Sequence, residues 1–253
     1  MQTDTNFKVV IPARYSSTRY PGKPLAKICG KEMVLHVYEK AQQSSASEVI
    51  IATDDKRIAE VAEDAGATVC MTSPDHQTGT DRLTEVVNHY GWPEDAVIVN
   101  VQGDEPLIPV SCIEQVATNL IANTRAVMAT LATPITTAEE YNDPNVVKVM
   151  FDTNGMAMLF SRSGIPFYRD GEYGVPTPAY RHLGIYSYRA GYLTNVYGSL
   201  AECKPEVAEK LEQLRVLHNG DGIHVDVALD RPGPGVDTPT QLEEVESLIR
   251  DGS

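Results

Sequence analysis

The chain has 253 residues and a mass of 27.7 kDa, with 42% hydrophobic and 22% charged residues, a composition that supplies a sizeable core and excludes intrinsic disorder. Its 35 acidic and 21 basic side chains leave a net charge of −14, so the chain as a whole offers no footprint for nucleic acid or an anionic membrane surface. No stretch approaches the roughly 18 apolar residues of a membrane span, and the first residues lack signal-peptide character, so a cytoplasmic location is expected.

Short apolar runs at 7–12, 49–52, 68–71, 97–101 and 127–131 read as strands, and their lack of strict alternation fits strands covered on both faces. Helical patterns fall between them at about 33–44, 56–65, 80–90 and 110–122. Asp54 and Asp55 supply an N-cap signal for the second helix and Gly66 its stop. This alternation predicts an α/β fold, a doubly wound and mainly parallel sheet with a ligand crevice at the carboxyl ends of its strands. After about residue 133 the chain turns richer in Pro, Gly and Tyr, and strands at 146–151, 158–160, 184–188 and 223–227 predict a smaller antiparallel extension. Helices are expected at 205–219 and 238–250, the second opened by Asp237-Thr-Pro. The Gly- and Pro-rich loop 170–179 reads as mobile.

The segment IPARYSSTRYPGKPL (11–25) follows the first strand. From Asn6 to Lys31 six basic residues (Lys8, Arg14, Arg19, Lys23, Lys27 and Lys31) occur without an acid, a +6 island in a remainder of −20. Arg forks match phosphate oxygens, Lys adds a point charge, and Ser16, Ser17, Thr18 and Gly22 allow close approach of backbone donors. A solvated basic loop paired with the acidic surface is the alternative. It is not a Walker A loop, because Ser17 and Pro24 stand where Gly and Ser or Thr are required.

The apolar strand at 97–101 ends in Gln-Gly-Asp-Glu, which puts Asp104 and Glu105 at the carboxyl edge of the sheet. A carboxylate there suits Mg²⁺ whose remaining ligands are phosphate oxygens, and equally suits a strand-end turn with an Asp capping a helix. Asp237 is open in the same way between a functional carboxylate and the N-cap of the last helix. His182 and His76 read by composition as hydrogen-bonding residues and not as general bases. Cys29, Cys70, Cys112 and Cys203 are too dispersed for a zinc ribbon or a disulfide framework, and the histidines lack H-E-x-x-H spacing. Ser161 and Ser163 have no G-x-S-x-G context. Tyr186, Tyr188 and Tyr192 read as core and interface aromatics and not as a base-stacking platform.

The basic loop resembles the signature of the CMP-KDO synthetases (3-deoxy-manno-octulosonate cytidylyltransferases). Further segments agree in order: ATDD (52–55), MTSPDHQTGTDR (71–82), VNVQGDEP (99–106), FSRSGIP (160–166), RHLGIY (181–186), LEQLR (211–215) and GVDTP (235–239). Two places depart from the pattern, a shorter loop beyond Arg169 and the segment 202–208. The resemblance implies a glycosyltransferase-A-like nucleotidyltransferase fold in one domain, with residues of about 1–132 as a nucleotide-binding half and about 133–253 as a sugar-binding and dimerisation half. It implies that Asp104 and Asp237 hold Mg²⁺, one ion or two, and that with Lys23 they form the catalytic centre. Arg14, Ser17, Arg19 and Lys23 would hold the triphosphate, with His76, Thr78, Gly79, Thr80 and Arg82 lining the nucleotide site. Gln102, Arg162, Arg169, His182, Tyr186, Glu212 and Gln213 would surround the sugar.

The activity implied is transfer of CMP from CTP to KDO for lipopolysaccharide biosynthesis, by a cytoplasmic homodimer with no nucleic-acid or membrane partner. A cytidylyltransferase for 8-amino-KDO or sialic acid, an enzyme acting on a sugar 1-phosphate, and a non-catalytic nucleotide-binding module are the alternatives. His182, Tyr186 and Gln213 weigh against the sugar 1-phosphate, and a binding-only module would not need both Asp104 and Asp237.

Overall fold

Phe7, Val9 and Ile11 enter the core on one side of strand β1 (Phe7–Ala13) and Val10 on the other, all fully buried. That double burial is what a non-alternating apolar strand demands, and β1 is accordingly central. The computed structural model describes residues 6–16, 20–76, 78–169, 175 and 178–251. After β1 come β2 (Lys27–Ile28), β3 (Lys31–Glu32), α1 (Met33–Gln42), β4 (Glu48–Thr53), α2 (Lys56–Asp64), β5 (Thr68–Met71), α3 (Gly79–Tyr90), β6 (Val97–Asn100) and α4 (Val110–Ala122). The second part adds β7 (Met128–Pro134), α5 (Ala138–Asn142), β8 (Lys148–Phe151), β9 (Ala157–Ser161), β10 (Tyr180–Arg189), α6 (Ala190–Asn195), α7 (Lys204–Glu209), α8 (Gln213–His218), β11 (Ile223–Val227) and α9 (Pro239–Asp251).

The main sheet runs β11-β7-β10-β6-β1-β4-β5, with β8 and β9 joined at its side through β10. β1, β4, β5 and β6 are mutually parallel, as are β7 and β11, whereas β10 is antiparallel to both β6 and β7. The predicted mainly parallel α/β sheet with antiparallel strands added to it is therefore present, and both halves of the chain feed one sheet; the strand expected at 223–227 in the antiparallel extension instead runs parallel to β7 at the sheet's edge. A bulge between Leu183 and Tyr186 re-aims the middle of β10. Asp55 caps α2 by accepting from the Arg57 N–H, and Gly66 follows with φ +80°.

Two further readings change. The helix expected over 205–219 is two helices, broken where Lys210 adopts φ +54°. The break lets Leu211 and Leu214 both enter the core, and a Lys gives no sequence signal for a left-handed residue. The strand expected at 184–188 extends over Tyr180–Arg189, because Arg181 and His182 pair with β7 despite their polarity. The short helices α5 and α6 and the β2–β3 hairpin carry too few periodic residues to be read. Most of the loop 170–179 lies outside the described residues.

Candidate active site

The turn after β1 delivers one cation to two carboxylates. Gly22 takes φ +73° and its N–H donates to the Tyr15 carbonyl at 2.9 Å, which starts the short 3₁₀ turn Lys23–Leu25. Lys23 Nζ donates to Asp104 Oδ2 at 2.5 Å and to Asp237 Oδ1 at 3.2 Å. The two acidic loops are tied together beneath it. The Val236 N–H donates to the Asp104 carbonyl at 2.9 Å, and Val236 is buried in a small apolar cluster with Ile28, Met33 and Val245. Gly103 allows the turn to pass under β1, since a Cβ there would lie 2.8 Å from the Pro12 carbonyl oxygen.

Neither carboxylate is the cap of a helix, and both border the first cleft. Helix α4 starts at Val110, after Pro109, so Asp104 is not its cap. At α9 the Thr238 hydroxyl accepts from the Gln241 N–H at 3.4 Å, while the Asp237 carboxylate meets Lys23. Glu105, next in chain, is pushed up to about 7 by burial first, and then by the charges of Asp104 and Asp237.

Two adjoining clefts meet here. The first is walled by Arg14, Lys23, Gly103, Asp104 and Asp237, the second by Asn100, Tyr186, Tyr197, Glu212 and Gln213, and Arg14, Gly79 and Gln102 border both. The N-terminus of α3 points between them. Thr78 caps it through a reciprocal pair with Asp81, at 3.1 and 3.2 Å. Thr80 then donates to Glu212 Oε2 at 3.2 Å. Burial raises the Glu212 carboxyl above its ordinary value.

The basic island divides. Lys8, Lys27 and Lys31 pair with Glu48, Glu32 and Glu39, as the surface reading requires. Arg14 and Lys23 face the cleft, Arg14 donating to the His76 carbonyl at 3.1 Å. Ser17 and Arg19 lie outside the described residues.

Other predicted residues sit deeper or elsewhere. The His76 ring meets Glu85. Arg82 borders the first cleft yet is fully buried, its guanidinium held by Asp54 at 2.9 Å and by Thr72. It therefore buttresses the cleft wall from beneath. His182 lies behind Tyr186, with its Nε2 at 3.0 Å from the Thr130 hydroxyl. Burial, assisted by Arg181, lowers its pKa to about 3, so the ring is neutral and the hydrogen-bonding reading fits. Arg162 and Arg169 do not border either cleft. Arg162 is committed to the carbonyls of Glu209 at 2.6 Å and Pro144 at 2.9 Å. Asn100, Tyr197 and Lys210, unassigned from sequence, border the second cleft, as does Tyr188, read from sequence as a core or interface aromatic. Only the inward phase of β6, which places Asn100 with Gln102, could have signalled one of them.

A basic turn after the first strand of a mainly parallel sheet, facing one carboxylate after β6 and another just before α9, with a polar second cleft alongside, defines an α/β nucleotidyltransferase. Comparisons with known proteins agree. A family profile described as cytidylyltransferase matches residues 8–225. The chain is 54% identical over 248 residues to the 3-deoxy-manno-octulosonate cytidylyltransferase of Vibrio campbellii, covering 96% of this chain and 98% of that one. The same-named protein of Aeromonas hydrophila is 54% identical over 252 residues, covering 96% and 99%. The solved structure of CMP:2-keto-3-deoxy-manno-octonic acid synthetase complexed with CTP superposes with a TM-score of 0.90 at 42% identity, covering 98% of this chain and 99% of that one. A cytidylyltransferase structure from Leptospira borgpetersenii, at 16% identity and TM-score 0.63, shares the fold, covering 98% and 87%. The chain belongs to the cytidylyltransferase family.

Proposed function

We propose that this chain transfers the cytidylyl group of CTP to the anomeric 2-hydroxyl of 3-deoxy-manno-octulosonate, giving CMP-KDO and pyrophosphate for lipopolysaccharide synthesis. The hydroxyl oxygen loses its proton to solvent and bonds the α-phosphorus, the bond from that phosphorus to the β-phosphate oxygen breaks, and pyrophosphate leaves with the electron pair. The observation that carries the reading is Lys23 drawn onto both Asp104 and Asp237 in the wall of the first cleft. It is supported by full-length relatives and by a close structural neighbour described as complexed with CTP.

Arg14 and Lys23 hold and neutralise the triphosphate in the first cleft. Tyr186, Glu212, Gln213 and Gln102 present hydrogen-bonding groups to the sugar acid in the second. The donor set fits a hard cation: two carboxylates converge on one positive group, and among the described residues no third His, Cys, Asp or Glu joins them. Asp104 and Asp237 would hold Mg²⁺ together with phosphate oxygens, and the ion would supply charge neutralisation and a lowered pKa for the attacking hydroxyl. His182, neutral and behind Tyr186, orients the wall and moves no proton.

The reading extends to a cytoplasmic homodimer. Among the described residues no helix is long and apolar enough to cross a membrane. Met158, Leu159, Phe167 and Tyr168 are exposed in the antiparallel region and offer apolar surface for a second copy. The test is pyrophosphate release from CTP and Mg²⁺ with KDO, 8-amino-KDO and N-acetylneuraminate in parallel. Release with KDO in clear preference is expected. Release with none of them overturns the activity, and preference for another acid reassigns the acceptor.

A further inference from the structure

A sugar-acid acceptor carries a carboxylate, and an anion entering a cleft that already holds Glu212 needs a cation there. The arginines expected to meet it do not border that cleft. Three charged side chains do: Glu212, Arg14 and Lys210. Arg14 is shared with the triphosphate cleft and donates to the His76 carbonyl. Lys210 belongs to the second cleft alone.

Lys210 is also placed by unusual means. It ends α7 with φ +54° and ψ +48°, a conformation uncommon for a residue with a Cβ, and its N–H donates to the Glu206 carbonyl at 2.7 Å. The buried Leu211 and Leu214 that follow pin the turn to the core, so the break between α7 and α8 is held at the rim of the cleft. Its side chain is exposed and, among the described residues, makes no hydrogen bond or ion pair. A positive group held without a partner beside an acceptor cleft is available to an anionic ligand.

We propose that Lys210 is a specificity-determining residue of the acceptor cleft and pairs with the carboxylate of the sugar acid, an inference that rests on the acceptor assigned above. The test compares the wild-type chain with Lys210→Asn and Lys210→Gly, both of which tolerate the left-handed backbone and keep the fold, and with Lys210→Arg, which keeps the charge. Steady-state pyrophosphate release is measured with CTP and KDO varied separately. Both uncharged variants are expected to raise KM for KDO roughly ten-fold, with KM for CTP and kcat nearly unchanged. Lys210→Arg restores most of the affinity, and added salt raises KM for KDO in the wild type more than in the Asn variant. Unchanged KM for KDO in the uncharged variants, or an equal rise in KM for CTP, overturns the role of Lys210 while leaving the activity standing. No release by the wild type with any sugar acid is instead the failure of the activity itself.

Discussion

His182 gives the molecule a calculable weakness to acid. Burial holds its imidazole at about 3 against an ordinary 6.5, with Arg181 pushing the same way. The His182 Nε2 lies 3.0 Å from the Thr130 hydroxyl, which itself donates toward the Leu183 and Ile185 carbonyls, at 3.0 and 2.8 Å. The unfolded chain takes up a proton at this ring as pH falls through its ordinary value, whereas the native state stays neutral until much lower pH. The unfolded state therefore binds more protons across that window, and stability falls as pH falls. Acidification from neutrality to about pH 5 passes about 1.5 pH units below the unfolded value, at about 1.4 kcal/mol each, for a loss of about 2 kcal/mol. Against a total of roughly 5–15 kcal/mol that is a large share. Urea unfolding at both pH values, in the wild type and in His182→Gln, isolates it, because His224 and the carboxylates titrate in both proteins. The wild type should lose about 2 kcal/mol more than the variant on acidification. Equal losses would mean that the native ring accepts a proton, and the buried neutral histidine would be wrong.

Asp104→Asn should lower the rate of pyrophosphate release by on the order of a hundred-fold or more while circular dichroism and the melting temperature stay near wild type, since Lys23 keeps Asp237; a near-normal rate would remove Asp104 from the centre. Gly103→Ala forces a methyl group against the Pro12 carbonyl, a contact of 2.8 Å, and should cost about 1–3 kcal/mol of stability with a larger loss of kcat, measured by denaturation and steady-state kinetics. Arg82→Met strips the partner from Asp54, itself nearly buried, and should destabilise by about 3–5 kcal/mol in urea. A stable Arg82→Met variant defective only in KM for CTP would instead make Arg82 a direct nucleotide contact.

The parallel core was legible because β1, β4 and β6 are buried on both faces, and burial leaves its mark directly in sequence as unbroken Val and Ile. The two carboxylates were legible only as alternatives. Asp237 precedes Thr-Pro, and nothing local distinguishes a capping Asp from one aimed across a cleft; the choice is made by Val236, whose burial and bond to Asp104 depend on residues about a hundred and thirty positions away. The basic island was legible as charge but not as geometry, since Lys8, Lys27 and Lys31 turn to nearby glutamates while Lys23 turns to the cleft. Lys210 was invisible because its importance is conformational. Helical periodicity runs through it, and the interruption follows from packing of Leu211 and Leu214 that no local propensity encodes.

The same geometry explains how a chain of net charge −14 can accept two anionic substrates. Lys23 offsets one of the two negative charges of Asp104 and Asp237, with side-chain exposure of only 12%. A cation with two carboxylates in reach is stabilised there, and on the proposed function Asp104 and Asp237 would hold a divalent ion together with phosphate oxygens. On the proposed function Lys23 would be a phosphate ligand as well, and its contacts with Asp104 and Asp237 limit the repulsion between the two acids. Lys210 answers the corresponding demand in the second cleft, where Glu212 would otherwise repel a sugar carboxylate. On that reading each anionic substrate meets a lysine fixed by a turn, Gly22 shaping one and Lys210 its own.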